Sequence, residues 1–476
     1  MSADRKGFKP YFGLTFLIGF GFFTMGLMDI LYDTYVPIFL GNILGKIAEE
    51  RVGLSKVING LTGFIMTFDN ILAIFLIPII AVWSDKTRTG IGRRMPFIVV
   101  LLPLSALCFS LIPYTTPQAL MDKATASQVL PSAARTALVA IIAVIFALNL
   151  FKQSVRGPVV ALMPDTIPGE FRSEANGIIN TMGALGSIVS TLVLAKLMDL
   201  DRSLPLLGNT KYRIPFPLAG LCVVAATILL FSFVRERSRD ETAGEERVPV
   251  IKSLKSIAGE KDKSALWILV SLFFWFFGYQ GILPFVGKLS VEVFHMSKGN
   301  AALPAAAVGL AQALFAIPSG YIAHRIGRRR AIRGSLVSLA VIMAIGAFLA
   351  SGLSAGLGAT RFYLFLGVMV VFGMFWITII TNSFPMLWQM ASFGTIGVYT
   401  GLYYTFSQGA AISSPPLTGL LIDFVGYPGI FVFAAACMLV ACLFMGKVTR
   451  GEPGEKASPS GGTAADTLKK NADGVQ

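Results

Sequence analysis

The feature that most constrains this chain is a series of long apolar stretches separated by short polar segments. The first covers residues 11–40, and similar stretches recur almost to the end of the 476 residues. About 20 apolar residues are enough for a helix to cross the hydrocarbon core of a bilayer. Only 14% of the residues are charged, whereas a soluble domain carries roughly 25%. A water-soluble fold is therefore excluded, and we predict an all-α integral membrane protein.

We predict twelve transmembrane helices in two six-helix halves. Their expected bounds are 11–40, 57–83, 95–115, 134–164, 174–199, 215–235, 264–290, 301–323, 331–352, 360–389, 396–423 and 427–447. The charged segment after the sixth helix is too long for a tight turn, so it is predicted to be a linker. The expected division is an N-terminus (1–10), two bundles (11–235 and 264–447), a linker (236–263) and a disordered tail (448–476).

Lysine and arginine predict the orientation, because cytoplasmic loops of membrane proteins carry an excess of both. An even number of helices places both termini on one side. That side receives Arg5, Lys6, Lys9, the basic residues of 86–94, the linker, Arg325 to Arg333 and the tail from Lys447. The other loops hold fewer basic residues: Lys46, Arg51, Lys123, Arg202 and Lys211. Both termini are therefore predicted to be cytoplasmic. The net charge of +14 reflects this topology and not binding to nucleic acid.

Two short basic segments occupy equivalent positions in the halves. "WSDKTRTGIGRRMPF" (83–97) joins the second and third helices, and "HRIGRRRAI" (324–332) joins the eighth and ninth. Each is the second connection of its half, so the halves are predicted to be an internal repeat. Two repeated bundles with a site between them are typical of secondary transporters.

These segments also carry a resemblance to a known family. "GYIAHRIGRRR" (320–330) resembles the major facilitator superfamily loop G-x-x-x-D-R-x-G-R-R, with His324 in place of the usual acid. "SDKTRTGIGRRMPF" is similar to the longer form found in plant sucrose transporters and their animal and bacterial relatives, with the glycoside-pentoside-hexuronide:cation symporters as more distant kin. The segments 156–180 and 400–423 fit a bacterial branch of the same group. The resemblance implies the major facilitator fold, a multi-pass protein of a bacterial cytoplasmic membrane, and no cofactor or metal.

The resemblance further implies that the basic loops act as a cytoplasmic gate. The carboxylate of Asp85 can accept a charge-assisted hydrogen bond or cap a helix, and Arg93 and Arg94 can reach carboxylates or helix ends between the halves. The alternative is that the loops only anchor the topology, but their spaced glycines are not needed for that role. The predicted gate residues are Asp85, Gly92, Arg93, Arg94, Gly320, Arg325, Gly327, Arg328 and Arg329.

Charged residues within the first bundle predict a coupling site. A charge at mid-bilayer costs about 2.5–3.5 kcal/mol on insertion scales, so such residues need a reason. Helical spacing puts Asp29 and Asp33 on one face, and the resemblance implies that the first and fourth helices line the cavity. The predicted set has three acids and two bases, so one carboxylate lacks a full partner and can bind a proton. Its members are Asp29, Asp33, Asp69, Lys152 and Arg156, with Asp29 as first candidate and Asp69 as second. The alternative is a static structural network.

Aromatic and amide side chains predict the substrate site. Aromatic rings can cover the C–H faces of a sugar, and amides can pair with its hydroxyls. The predicted residues are Tyr32, Asn149, Trp275, Tyr279, Gln280, Trp376 and Asn382. The alternative is that these aromatic residues serve packing or the membrane interface.

Together these features predict a transporter rather than an enzyme. The leading hypothesis is proton-coupled symport of a sugar or glycoside by alternating access, in a monomer. An exporter or antiporter of another small molecule, such as a sugar acid or an amphiphile, is the alternative. Lys152 and Arg156 disfavour a cationic ligand. The sequence contains no H-x-x-x-H pair, P-loop or G-x-S-x-G motif, and its four cysteines lack metal-ligand spacing.

Overall fold

The computed structural model describes residues 9–122, 125–168, 171–204, 208–236, 262–390 and 396–452. Twelve long helices dominate these ranges, which confirms the predicted fold class. They are α1 (Lys9–Ala48), α2 (Ile58–Lys86), α3 (Met95–Leu111), α4 (Pro131–Thr166), α5 (Arg172–Val189), α6 (Pro215–Phe233), α7 (Ser264–Ile282), α8 (Leu303–Ile326), α9 (Arg328–Ala350), α10 (Thr360–Met390), α11 (Ile396–Val425) and α12 (Tyr427–Gly446). Two-residue strands β1 (Ser203–Leu204) and β2 (Gly208–Asn209) pair antiparallel between α5 and α6.

Length and composition set α11 apart from the other helices. Within the described ranges, eleven helices are both long and apolar enough to cross a membrane. The thirty residues of α11 are also long enough to cross a membrane. Its sequence, however, carries several hydroxyl and amide side chains, as in "YTFSQGAAISS" (404–414). This helix packs between α7 of its own half and the first part of α2 from the other half. Protein contacts on both sides therefore replace part of the lipid contact that a more apolar helix would make.

Several helices change geometry along their length. A break at Thr67 divides α2 into Ile58–Met66 and Phe68–Lys86. A π-helical turn (Ser190–Leu194) and a 3-10 turn (Ala195–Asp199) extend α5, and a turn containing Pro284 leads from α7 into a second segment, Val286–Glu292. Such irregular turns are frequent at functional sites.

The buried hydrophobic side chains form two clusters. One is built by α1 to α6, with Ala301 and Ala302 added, and the other by α7 to α12. Within the first cluster α1 packs against α4, α5 and α6, and within the second α7 packs against α11 and α12. The linker that would separate these clusters falls mostly in 237–261, outside the described residues, so its place stays a prediction.

The two halves meet at one end of the bundle. We call the end where α1 begins and α12 ends the terminal side, and the other end the opposite side. At the opposite side the carboxylate of Asp423 on α11 accepts hydrogen bonds from the backbone of Asn59 (3.1 Å) and Gly60 (2.9 Å) on α2, and from the Asn59 amide (2.7 Å). Lys288 donates to the same Asn59 side chain at 2.5 Å. These contacts form a latch, which we define as Asn59, Gly60, Lys288 and Asp423.

Glycine lets the helices beside the latch approach closely. A Cβ built on Gly63 would lie 2.1 Å from the carbonyl oxygen of Pro415, and one on Gly419 would lie 2.1 Å from that of Asn59. Real side chains do not tolerate such distances to backbone atoms. The opposite side is therefore closed by direct backbone contact between α2 and α11.

Candidate substrate and coupling site

A cavity of about 900 Å³ lies between the two halves. Side chains from α1, α5, α7, α8 and α10 line it, and most of them are apolar. The polar side chains in its lining are few: Asp33, Asn176, Asn180, Thr181, Ser187, Tyr279, Gln312 and Thr381. A mostly apolar pocket with a small number of placed polar groups is the usual form of a small-molecule site.

The cavity runs toward the terminal side. Its lining follows α5 from Ile188 to Asn176 and α8 from Pro304 to Ile317, and both directions lead away from the latch. At 1.5 Å per helical residue each path is about 18–20 Å long. With the opposite side closed, the cavity is accessible from the terminal side.

The predicted charged residues of the first half do come together. The ammonium of Lys152 on α4 donates to the carboxylate of Asp29 on α1 at 2.8 Å, and it also lies 4.9 Å from the centre of the Tyr32 ring. The amide of Asn149 donates to the Tyr32 hydroxyl at 3.0 Å. Lys152, Tyr32 and Asn149 are buried, while the Asp29 side chain keeps 37% of its surface exposed.

Asp69 and Arg156 belong to the same electrostatic cluster. Asp69 interacts electrostatically with Lys152, Asp29 and Arg156, and its carboxylate accepts a hydrogen bond from the backbone of Asn70 at 2.6 Å. Arg156 is solvent-exposed, one helical turn beyond Lys152 on α4. The cluster therefore contains three acids and two bases, as the spacing predicted.

Asp33 differs from the other two acids. It interacts electrostatically with Asp29, Asp69, Lys152 and Arg156, but it forms neither an ion pair nor a hydrogen bond with another described residue. It is also the member of the cluster that lines the cavity. The carboxylate without a direct partner is therefore Asp33. From the sequence alone, Asp29 is the first candidate for the acid that binds a proton.

A stack of three aromatic rings forms part of the second-half wall. The Tyr279 ring lies 4.3 Å from that of Trp376 and 5.6 Å from that of Phe372, at interplanar angles of 29° and 17°. Phe276 meets Trp376 edge-on at 5.5 Å. Tyr279 and Phe372 line the cavity, and Trp376 supports them from the core. Stacking on two neighbours fixes the position of the Tyr279 hydroxyl.

The structure places the other predicted second-half residues away from the cavity lining. Trp275 is 0% exposed within the second hydrophobic cluster, and its indole nitrogen has no partner among the described residues. The amide of Asn382 donates to the Thr378 carbonyl on its own helix at 2.8 Å. Gln280 is half-buried and follows Tyr279 directly, so it points elsewhere around α7.

Sequence reasoning missed several polar residues of the lining. On α5 these are Asn176 and Asn180, which are four residues apart and joined by a hydrogen bond of 3.1 Å between their side chains. On α8 it missed Gln312, an amide in an otherwise apolar and alanine-rich stretch. The available signal was the helical spacing on α5 and the isolated polar residue on α8.

The basic loop of the first half is held by carboxylates. Arg93 and Arg94 both bind Asp165 at the end of α4, at 2.6 Å and 2.9 Å, and Arg94 also contacts Asp85. Glu236, just after α6, accepts hydrogen bonds from three successive backbone amides, those of residues 93, 94 and 95, at 2.7–2.8 Å. These contacts lie within the first half rather than between the halves.

A positive φ at Gly92 makes this cap possible. Its φ is +114°, a value that disfavours residues with a side chain, and a Cβ there would lie 2.7 Å from the Glu236 carboxyl carbon. Glycine therefore has a physical role at this position, in the turn that aims the first amides of α3 at Glu236.

The second half repeats the arrangement with different partners. Gly327 has φ +92°, and Glu452 accepts hydrogen bonds from the backbone of Arg328 (2.8 Å) and Arg329 (3.0 Å). The side chain of Arg329 donates to the Gly446 carbonyl at 2.5 Å, and that of Arg328 contacts the Gln389 amide oxygen. Of the other predicted gate residues, Arg325 is exposed, and a Cβ built on Gly320 would contact no residue outside its own helix turn.

Comparison with known proteins places this geometry in a family. The family model of the Major Facilitator Superfamily matches residues 12–413 and again 289–472. The sucrose transport protein SUC3 of Arabidopsis thaliana is 25% identical over 228 residues, which are 45% of this chain and 37% of that protein. The match thus spans well under half the length of that relative.

Solved structures with the same fold cover almost the whole chain. The inward-open xylose transporter XylE from E. coli superimposes with a TM-score of 0.65 at 14% identity, covering 94% of this chain and 98% of its own. A bacterial homologue of the iron transporter ferroportin gives 0.65 in its inward-facing state and 0.54 in its outward-facing state, at 14% identity, covering 92% and 91% of this chain and 99% and 98% of the homologue. The twelve-helix bundle, the repeated basic loops and the family match together establish that this chain is a multi-pass membrane transporter of the Major Facilitator Superfamily.

Proposed function

We propose that this transporter is a proton-coupled symporter of a sugar or glycoside. The observation that carries the proposal is the position of Asp33, an acid without a direct partner in the wall of a cavity whose facing wall presents an aromatic stack and an amide. The transporter would act as a monomer by alternating access between two half-bundles.

The charge balance of the first half supports coupling through Asp33. The ion pair with Lys152 favours the charged form of Asp29, and the hydrogen bond from the Asn70 amide favours that of Asp69. Asp33 has neither kind of support, and it interacts at longer range with the two other acids as well as with Lys152 and Arg156. It is therefore the carboxylate best suited to bind a proton before substrate and release it after transport.

The second-half wall supports a neutral polyhydroxylated substrate. The stacked rings of Tyr279 and Phe372 offer flat apolar surface for C–H groups, and Gln312 offers an amide for hydroxyls. The names of SUC3, a sucrose transport protein, and XylE, a xylose transporter, agree with such a substrate for those proteins.

We further propose that the terminal side is cytoplasmic. The basic loops lie on that side, in agreement with the positive-inside rule. The better superposition on the inward-facing than on the outward-facing state of the ferroportin homologue also agrees with a cavity that opens inward.

The coupling proposal is tested with Asp33→Asn in proteoliposomes. Asparagine keeps the size of the side chain but cannot ionise, so the variant should exchange sugar in counterflow yet fail to accumulate it against a gradient. The matched control is Asp201→Asn, an exposed acid on the opposite side that pairs at 3.6 Å with Lys211. Uphill uptake by Asp33→Asn with the pH dependence of the unchanged protein would refute coupling through this residue.

Export of an amphiphile is a second candidate, favoured by the largely apolar cavity lining. The two functions differ in the direction of proton movement on addition of substrate. Symport into vesicles makes the external medium more alkaline, whereas exchange for protons makes it more acidic.

A further inference from the structure

Gln312 is a half-buried amide on α8 that lines the cavity. On α8 the cavity lining contains larger side chains, such as Val308, Leu310 and Ile317, but the lining residues nearest to Gln312 toward the terminal side are Ala313 and Ala316, and Gly309 lies one turn to the other side. Gly309 and Ala316, one helical turn away on either side, are too small to cover a glutamine, and Gln312 is only half-buried. Part of the Gln312 amide is therefore accessible to a ligand in the cavity.

The hydroxyl of Tyr279 is the polar neighbour of this amide. The two side chains interact at the cavity wall, where Tyr279 from α7 and Gln312 from α8 meet. Trp376 and Phe372 hold the tyrosine ring by stacking, so the amide has a fixed partner. A glutamine amide offers two N–H donors and an oxygen acceptor. One contact with Tyr279 leaves the remaining capacity for a ligand.

The first-half wall presents a polar group that corresponds to this pair. Asp33 lines the same cavity from α1, and it is near enough to Tyr279 for the two to interact electrostatically. The remaining α7, α8 and α10 lining between these groups is mainly aliphatic or aromatic. Asp33 from the first half and the Tyr279–Gln312 pair from the second half thus present hydrogen-bonding groups to the same cavity.

We propose that Gln312, together with the Tyr279 hydroxyl, binds one hydroxyl of the substrate while Asp33 binds another hydroxyl of the same molecule. The inference rests on the proposed function and deepens it. The ligand must be uncharged, carry hydroxyls on two of its edges, and have a C–H face for the tyrosine ring. A ligand bound at both points joins the halves, and its binding therefore favours states in which the two walls are close.

The experiment measures binding to the purified protein, independently of coupling. Sucrose, maltose, trehalose and glucose are screened by thermal shift, and each monodeoxy derivative of a sugar that binds is then titrated. The variant is Gln312→Met, which keeps the length of the side chain and removes its hydrogen bonds. The matched control is Gln280→Met on α7, outside the cavity lining.

Loss of one such hydrogen bond should raise the dissociation constant about tenfold in Gln312→Met and leave it unchanged in Gln280→Met. In the unchanged protein, one monodeoxy sugar should bind about tenfold more weakly than the parent sugar. In Gln312→Met, that same monodeoxy sugar and the parent sugar should bind with equal affinity. This loss of discrimination at a single hydroxyl identifies a direct contact. The pH dependence of binding should be the same in Gln312→Met as in the unchanged protein, because Asp33 is intact.

Three results would overturn the inference. If Gln312→Met discriminates every deoxy sugar as the unchanged protein does, Gln312 does not contact the substrate. If both glutamine variants lose affinity equally, the effect is structural. If no sugar binds and an amine or a sugar acid does, the proposed function fails together with the substrate class. Binding without uphill uptake would refute only the coupling proposal.

Discussion

The latch at the opposite side should control which face of the transporter is open. Asp423→Asn keeps the size of the side chain but replaces one carboxylate oxygen with an amide group. That group would face an N–H donor of Asn59 or Gly60, so at least one charge-assisted hydrogen bond is lost. This loss destabilises the conformation in which the opposite side is closed. It does not affect the conformation in which the opposite side is open, because the latch contacts are absent there.

The size of the effect follows from the bond type. A hydrogen bond to a charged group contributes roughly 1.5–3 kcal/mol. At about 1.4 kcal/mol per factor of ten, the equilibrium should shift roughly 10- to 150-fold toward opening of the opposite side. Asp423 is only half-buried, so the lower part of this range is expected.

The assay is a distance measurement between spin labels at Lys56 in the first half and Leu353 in the second, both exposed on the opposite side. Asp423→Asn should populate longer distances than the unchanged protein. Asp201→Asn, on the same side but outside the latch, is the control. Identical distance distributions in a folded Asp423→Asn variant would refute the idea that the latch sets the equilibrium.

Three further expectations concern the terminal side. Gly92→Ala places a side chain at φ +114° against Glu236, so it should lower the melting temperature. Gly90→Ala is the control and should leave the melting temperature unchanged, because a Cβ there meets nothing within 4 Å; equal effects of the two variants would contradict the role of the cap. Arg94→Ala removes contacts with Asp165 and Asp85 and should slow transport while sugar binding in a thermal-shift assay persists; a large loss of affinity with normal cycling would argue against a gate. A cysteine at position 240 should resist membrane-impermeant reagents added to intact cells, and labelling from outside would overturn the proposed orientation.

The helices of this fold are largely readable from the sequence. Hydropathy predicts their number and most bounds, because a membrane helix must be apolar over a length that the bilayer sets. The main departure is α1, which continues to Ala48 instead of ending near 40. There Ile43 and Ile47 still belong to the first hydrophobic cluster, and the helix continues because it packs against the short segments that follow it.

The candidate site was only partly readable. Helical spacing predicted that Asp29 and Asp33 share one face and that Lys152 and Arg156 share another, because residues three or four apart lie on one face, and the family resemblance implied that both faces line the cavity. It did not predict which acid would remain without a direct partner, since that depends on how α1 and α4 are rotated against each other. Spacing also puts Trp275 on the same face of α7 as Tyr279, yet only Tyr279 lines the cavity, because Trp275 lies one turn further along the helix and is packed into the second hydrophobic cluster. Helix rotation is set by tertiary packing, which a single sequence does not encode locally.

The acids that cap the basic loops also had no local signal. Glu236 and Glu452 are each more than 120 residues from the amides that they bind. They do occupy equivalent places, shortly after the last helix of each half. Only the internal repeat, combined with the positive φ of Gly92 and Gly327, explains why both are acidic.

The repeat is imperfect in a way that predicts unequal stability of the two loops. In the first half the arginine side chains bind carboxylates, those of Asp165 and Asp85. In the second half His324 stands where the family pattern has an acid, and the arginines bind the Gln389 amide and the Gly446 carbonyl instead.

Hydrogen bonds in which either partner is charged are roughly twice as strong as neutral ones, and a carboxylate partner adds the attraction between two opposite full charges to the arginine bonds of the first loop. The second loop should therefore open locally more often than the first. Hydrogen exchange measured by mass spectrometry in lipid nanodiscs should be faster for the backbone of 325–331 than for that of 91–97. His324→Asp, which restores the acid of the family pattern, should reduce the difference, because Asp can pair with a neighbouring arginine as Asp85 does with Arg94. Equal exchange in the two loops of the unchanged protein would show that the backbone caps of Glu236 and Glu452, and not the arginine side chains, determine how firmly each loop is held.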